Sequence, residues 1–223
     1  LTFSLTGLQA QNGFNFADEN RSKTVIPFNL INNLIFINVN VNGVSLNFLL
    51  DSGVEETVLF SLDEDSEVNF FNVKKIKLYG LGNAESIDGL KSSGNVVSFK
   101  DFVDTNHDIY IVLDQDFNFS SNVGVPVNGI LGYHFFKNNL VDIDYDRKKI
   151  IIRKENLQSS KRIAKKFQAF DISLEKNKPY SYANILIDSS WIPAKLLLDT
   201  GNSDAIWLFT QGPVSFPIPK INL

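Results

Sequence analysis

Two acidic triplets stand out by type and spacing, Asp51-Ser52-Gly53 and Asp199-Thr200-Gly201, 148 positions apart. Each follows an apolar run, Phe48-Leu49-Leu50 in the first case and Leu196-Leu197-Leu198 in the second. A carboxylate at the end of such a strand is desolvated, which penalises its charge. The hydroxyl residue beside it offers a hydrogen bond across a tight turn, and the glycine allows the sharp bend and close approach the turn requires. Two such loops facing each other across a pseudo-twofold axis would bring their carboxyls close enough to share one proton, because like charges at that range cannot both ionise cheaply. One then serves as an acid and the other as a base at the same pH. A water between them can be deprotonated by the ionised carboxyl while the protonated one polarises a carbonyl, which amounts to direct hydrolysis without a covalent intermediate. Such a pair titrates as a unit, so the proton is assigned to neither residue.

The elements that must position these loops are strands. Leu34 to Val41 alternates apolar and polar residues up to Asn42-Gly43, a dipeptide suited to a two-residue hairpin turn, and Val44 to Leu50 returns directly into Asp51. Further β-rich runs lie at Val73 to Leu78, Asn95 to Phe99, Ile109 to Leu113, Leu140 to Tyr145 and Lys149 to Arg153. With 19 Phe and little 3.6-residue periodicity, the chain is expected to be mainly β. Sliding the sequence on itself by 148 positions lays residues 36–53 over residues 184–201 without a gap. Ile37 then matches Ile185, Val39 Ile187, Val44 Ile192 and Leu49 Leu197, and beyond the glycines Val58 matches Ile206 and Leu59 matches Trp207.

Taken with Asn128-Gly129-Ile130-Leu131-Gly132, these residues resemble the retropepsin-like aspartic peptidases, particularly the bacterial kind that carries both Asp-Ser/Thr-Gly loops on one chain. The resemblance implies an acid protease barrel, with one complete lobe plus the start of a second. It implies Asp51 and Asp199 as the catalytic pair of an aspartic endopeptidase, supported by Ser52, Gly53, Thr200 and Gly201. Ile130, Leu131 and Gly132 match the hydrophobic-hydrophobic-Gly element that packs beneath the first loop in that family. Residues 133–152 match its short helix and closing hairpin, with Asp146-Arg147 as the turn. The Gly-rich stretch from Lys77 to Gly89 falls where the family carries its flap, making Tyr79, Gly80, Leu81 and Gly82 candidate contacts to a peptide or protein substrate.

The expected organisation is an N-terminal segment over 1–24, a first lobe over 25–154, a polar and basic linker over 155–168, and the beginning of a second lobe over 169–223. About 80 residues carry the first lobe from Asp51 to Gly132, whereas 22 follow Gly201. The second lobe is therefore expected to be completed by further C-terminal chain or by a second copy in a homodimer. Met is absent, so Leu1 reads as the start of a trimmed piece, and Leu1 to Gln11 resembles the tail of a secretory signal. Export, to a periplasm or outside the cell, is the corresponding expectation.

Several other chemistries lose support. A net charge of −4 with scattered Lys and Arg gives no footprint for a phosphate backbone, so nucleic acid is not an expected partner. The absence of Cys removes disulfides, thiol nucleophiles and Cys-based metal sites. His107 and His134 lack zinc-ligand spacing, and Asp142, Asp144 and Asp146 lack the Gly and terminal Glu of a calcium loop. The dyad chemistry requires neither metal nor cofactor. Ser52 has no His partner in sequence, and no stretch reaches the roughly 18 apolar residues of a membrane span. Glu55 reads as solvent-facing, and Trp191 and Trp207 as residues of which at least one packs in a core. Two other readings stay open: a non-catalytic peptide-binding or scaffold module on the same fold, and a secreted β-sandwich adhesion domain, which leaves the repeat unexplained.

Overall fold

The computed structural model describes residues 13–60, 67–79, 86–113, 120, 123–154, 167–211 and 215–218. The chain enters through β1 (Asn15–Phe16), β2 (Lys23–Pro27) and β3 (Asn29–Ile31), then forms the hairpin of β4 (Leu34–Val41) and β5 (Val44–Leu50). Its turn is the expected Asn42-Gly43, with φ of 49° and 95°, the left-handed pair that a tight hairpin demands. After β6 (Thr57–Leu59) and β7 (Lys74–Tyr79) come two long strands, β8 (Ser86–Phe99) and β9 (Phe102–Val112), which extend the shorter runs anticipated from sequence. β10 (Gly129–Leu131) and a 3₁₀ turn at Tyr133–Phe135 lead into the hairpin of β11 (Asn139–Asp144) and β12 (Lys149–Lys154), closed by a turn that contains Asp146-Arg147. A separate three-stranded sheet follows, β13 (Ser173–Glu175), β14 (Lys178–Ile187) and β15 (Ser190–Leu197). The fold is mainly β.

Nine strands of the first half form one sheet in the order β1-β9-β6-β10-β5-β4-β8-β7, with β3 added on β4. Because β8 also pairs with β9, strands β9, β6, β10, β5, β4 and β8 join into a ring. Alternation along β4 and β5 sends Ile35, Ile37, Val39, Val41, Leu46, Phe48 and Leu50 into the ring's core. At the end of the hairpin nearest Asp51 the opposite face is covered too, where Leu34, Phe36 and Leu49 pack with Val127 in a second cluster. Phe14 belongs to the main core, its ring stacked on Phe102 at 5.3 Å, with Phe99 and Phe135 packed around the pair.

A buried polar chain ties β9 to β6. His107 lies between the Asp104 carboxylate, 2.8 Å from its Nδ1, and the Thr57 hydroxyl, 2.7 Å from its Nε2, and all three side chains are buried. Asn95 donates to the His107 carbonyl from β8 at 3.1 Å. Burial opposes ionisation of Asp104, but the hydrogen bonds from His107 and from the Asn106 N–H outweigh it and hold the carboxyl below its ordinary range. A depressed carboxyl stabilises the fold above its unfolded value of about 3.9, and that contribution disappears as pH falls through the folded value. Asp104→Asn should therefore lower unfolding free energy near neutral pH by about 1–3 kcal/mol and reduce the further loss on acidification. Urea titrations of both proteins at neutral and acid pH measure this, and an unchanged acid slope in the variant rules the assignment out.

Candidate active site

β5 and β15 each deliver an aspartate at their C-terminal end, and the two loops meet. The Thr200 hydroxyl accepts from the Ser52 N–H at 3.0 Å and donates to the Leu50 carbonyl at 2.9 Å. Reciprocally, the Ser52 hydroxyl accepts from the Thr200 N–H at 3.1 Å and donates to the Leu198 carbonyl at 2.7 Å. Each half thus satisfies one N–H and one C=O of the other, and the two sets are related by the 148-residue repeat.

The carboxyls are oriented the same way. Asp51 Oδ1 accepts from the Gly53 N–H at 2.7 Å, and Asp199 Oδ1 from the Gly201 N–H at 2.8 Å. Both glycines are needed because each faces the opposite aspartate: a Cβ on Gly53 would lie 2.8 Å from the Asp199 carboxyl carbon, and one on Gly201 would collide with the Asp51 carboxyl. Asp51 is 8% exposed and Asp199 is exposed. Burial, then the charge of Asp199 and hydrogen bonding with it, push the Asp51 carboxyl up to about 7, against the N–H groups of Gly53 and Val54, which pull it down.

Beneath the first loop lies β10, parallel to β5 with Leu131 opposite Leu50, and antiparallel to β6 with Ile130 opposite Val58. The Asp51 N–H donates to the Leu131 carbonyl at 3.0 Å and the Tyr133 N–H to the Val54 carbonyl at 2.9 Å, so the Ile130-Leu131-Gly132 element braces both ends of the loop. Tyr79 ends β7, opposite Ser86, while Gly80, Leu81 and Gly82 lie outside the described residues.

Three sequence expectations change. Glu55 is half-buried and accepts a hydrogen bond from Asn177 Nδ2 at 2.7 Å, so it faces the other half rather than solvent. Trp191 and Trp207 are both exposed, at 68% and 62%, so neither packs in a core. The incoming strand of the second hairpin is displaced: Leu49 pairs with Phe36, but Leu197 pairs with Tyr180, four residues short of the Asn184 that a strict repeat requires. The tight turn falls at Asp188-Ser189, both at positive φ, and so sets the register. His107, set aside as a ligand, turned out to be a structural member of the buried Asp104 and Thr57 chain, which no local sequence signal marks. Asp142 and Asp144 serve their own hairpin, Asp142 against Arg153 and Asp144 against the Arg147 N–H. Among the described residues no group of three or more ligating side chains could hold a metal ion, and no helix is long and apolar enough to cross a membrane.

Thr200→Val retains the shape of the side chain but orphans the Ser52 N–H and the Leu50 C=O, and is expected to cost about 2 kcal/mol or more, whereas Thr200→Ser should stay within about 1 kcal/mol. Urea unfolding distinguishes them, and equal stability of the two variants would refute the reciprocal arrangement.

No family model matches the chain. It is 29% identical over 144 residues to the retrovirus-related Pol polyprotein from transposon 412 of Drosophila melanogaster, a match that covers 63% of this chain and 11% of that polyprotein. Among solved structures it is similar to a retropepsin-like aspartic protease from Rickettsia conorii, at 18% identity over 59% of this chain and 90% of that one, with a TM-score of 0.40. With paired Asp-Ser-Gly and Asp-Thr-Gly loops and an Ile-Leu-Gly strand beneath the first, the chain resembles the retropepsin-like aspartic peptidases.

Proposed function

We propose that this chain carries the catalytic pair of an aspartic endopeptidase, with Asp51 and Asp199 acting together on a peptide bond. The observation that carries the reading is the reciprocal bonding of the two loops through Ser52 and Thr200, which sets the aspartates against each other where burial, and then the charge and hydrogen bonding of Asp199, raise the Asp51 carboxyl to about 7. In such a pair one carboxyl is ionised and the other protonated over a range of pH. The ionised member takes a proton from a water held between them, and the water oxygen attacks the peptide carbonyl carbon. The protonated member donates to the carbonyl oxygen as it becomes tetrahedral. Collapse of that intermediate breaks the C–N bond as the departing amine receives the proton first removed from water and one hydroxyl of the intermediate returns its proton to the other carboxyl, which restores the singly protonated pair.

The open side of the second sheet fits the same reading. Leu196, Leu198, Ile206 and Trp207 line a cavity of about 530 Å³ beside Asp199. In the repeat they stand where Phe48, Leu50, Val58 and Leu59 stand, and in the first half β10 pairs between the two strands that carry those residues. A strand from a second copy, or from further chain, would complete the second half in the way β10 completes the first. The exposure of Asp199 also favours a second reading, in which this segment binds peptides without turnover.

Substitution separates the two. Asp51→Asn and Asp199→Asn should each lower the rate of peptide cleavage by about a thousandfold or more while leaving the fold intact. Hydrolysis that survives either change refutes the dyad. Activity should follow a bell in pH whose alkaline limb falls near pH 7, because above about 7, the value to which the Asp51 carboxyl is raised, the pair loses the proton it shares and with it the acid. A rate that stays flat through that range, measured on a peptide without titratable groups, contradicts the shared proton.

A further inference from the structure

Each half sends one hairpin turn across to the other. Asn33, in the two-residue turn between β3 and β4, donates from Nδ2 to the Ser203 carbonyl at 3.0 Å. Asn177, in the two-residue turn between β13 and β14, donates from Nδ2 to Glu55 Oε1 at 2.7 Å. Glu55 is the fourth residue after Asp51, and Ser203 is the fourth after Asp199. An asparagine amide therefore reaches the corresponding residue of the opposite loop twice, once in each direction, at the Ser203 main chain and at the Glu55 side chain.

Turn chemistry accounts for the asparagines only in part. Asn32 and Asn33 have φ of 50° and 63°, and Lys176 and Asn177 have 49° and 57°, the left-handed pairs for which Asn and Gly are favoured. The Asp188-Ser189 turn meets the same backbone demand with other residues, and Gly43 meets it without a side chain. What the amides of Asn33 and Asn177 add is reach, to partners 170 and 122 residues away.

We propose that Asn33 and Asn177 are positioning residues, a reciprocal pair of latches that stop the two halves from rocking about the Ser52 and Thr200 contact and so fix the separation of the Asp51 and Asp199 carboxyls. This rests on the aspartic peptidase reading of the pair. The Ser52 and Thr200 hydrogen bonds lie where the two loops meet and hold the halves together there, but a central contact acts as a pivot. Two contacts related by the axis lie on opposite sides of it and resist the rotation that the pivot permits. The two latches differ in kind: Asn177 bonds to a carboxylate, a charge-assisted contact, whereas Asn33 bonds to a neutral carbonyl, so the Asn177 latch is the stronger.

The test uses Asn33→Gly and Asn177→Gly, singly and together, because glycine preserves the positive-φ turns and removes only the amides. The chain has no Cys, so Asp146→Cys and Ser190→Cys accept one spin label on each half. In the otherwise unaltered chain the distance between labels should be narrowly distributed, and in the double glycine variant the distribution should widen by about twofold or more. With a peptide substrate, kcat should fall about tenfold in the double variant with KM within about twofold. Asn177→Asp sets a second carboxylate against Glu55, and adding Glu55→Gln restores a donor to that pair and should return kcat to within about twofold of the starting protein. An unchanged distance distribution in the double variant overturns the latch whatever the cleavage rate, as does failure of Glu55→Gln to rescue. A widened distribution in a chain whose unsubstituted form cleaves no peptide instead confirms the latch as a mechanical device and overturns the peptidase reading beneath its catalytic role.

Discussion

Bringing two carboxyl groups of like charge into contact is the constraint on which the rest of this structure depends. Left to themselves the loops would separate whenever both groups ionised, so the force that joins them cannot be the aspartates' own. It is supplied instead by four hydrogen bonds among the hydroxyls and main-chain groups of Ser52, Thr200, Leu50 and Leu198. All these groups are neutral, so the junction does not depend on whether Asp51 is ionised. The glycines that follow complete the arrangement, because each leaves room for the carboxyl of the opposite half.

The two halves share this local code but not their surroundings. Asp51 sits at the end of a strand covered on both faces, with Leu50 in the main core and Leu49 in the second cluster. Its loop is also bonded at both ends, at Asp51 to Leu131 and at Val54 to Tyr133. Asp199 itself is exposed, as are Trp207 and Phe209, which line the same cavity. Desolvation is the largest cause of the raised proton affinity of Asp51, so the packing around the first loop is what sets it.

Sequence reading went furthest where a signal was local. The β4 and β5 hairpin was legible to the residue because alternation ends on Asn42-Gly43, and the β11 and β12 hairpin because its apolar runs flank Asp146-Arg147. The repeat made the two aspartates legible as a pair. What stayed hidden depends on distant partners: the Thr57 and His107 contact spans 50 residues, and the length of β8 is obscured by register shifts around Asn95. The exposure of the two Trp residues was hidden for another reason, since their apolar character says that they seek a cover and not where the cover comes from.

The displaced register of the second hairpin explains how an imperfect repeat preserves a nearly perfect site. A slip of one residue along β14 would have turned every inward side chain outward, but a slip of four, an even number, keeps each residue on its own face. The same four-residue displacement moves the preceding turn, which a strict repeat would centre on Tyr180-Ser181, to Lys176-Asn177. An asparagine stands at that displaced position as one stands at the corresponding Asn33, and each reaches the loop of the other half. The strands of the two halves are therefore offset by whole pleats, while from each half an asparagine still reaches the opposite loop. Spatial symmetry is conserved where the halves touch and relaxed where they do not, which is the pattern expected if the interface of the two loops, rather than the fold of either half, is what must stay fixed.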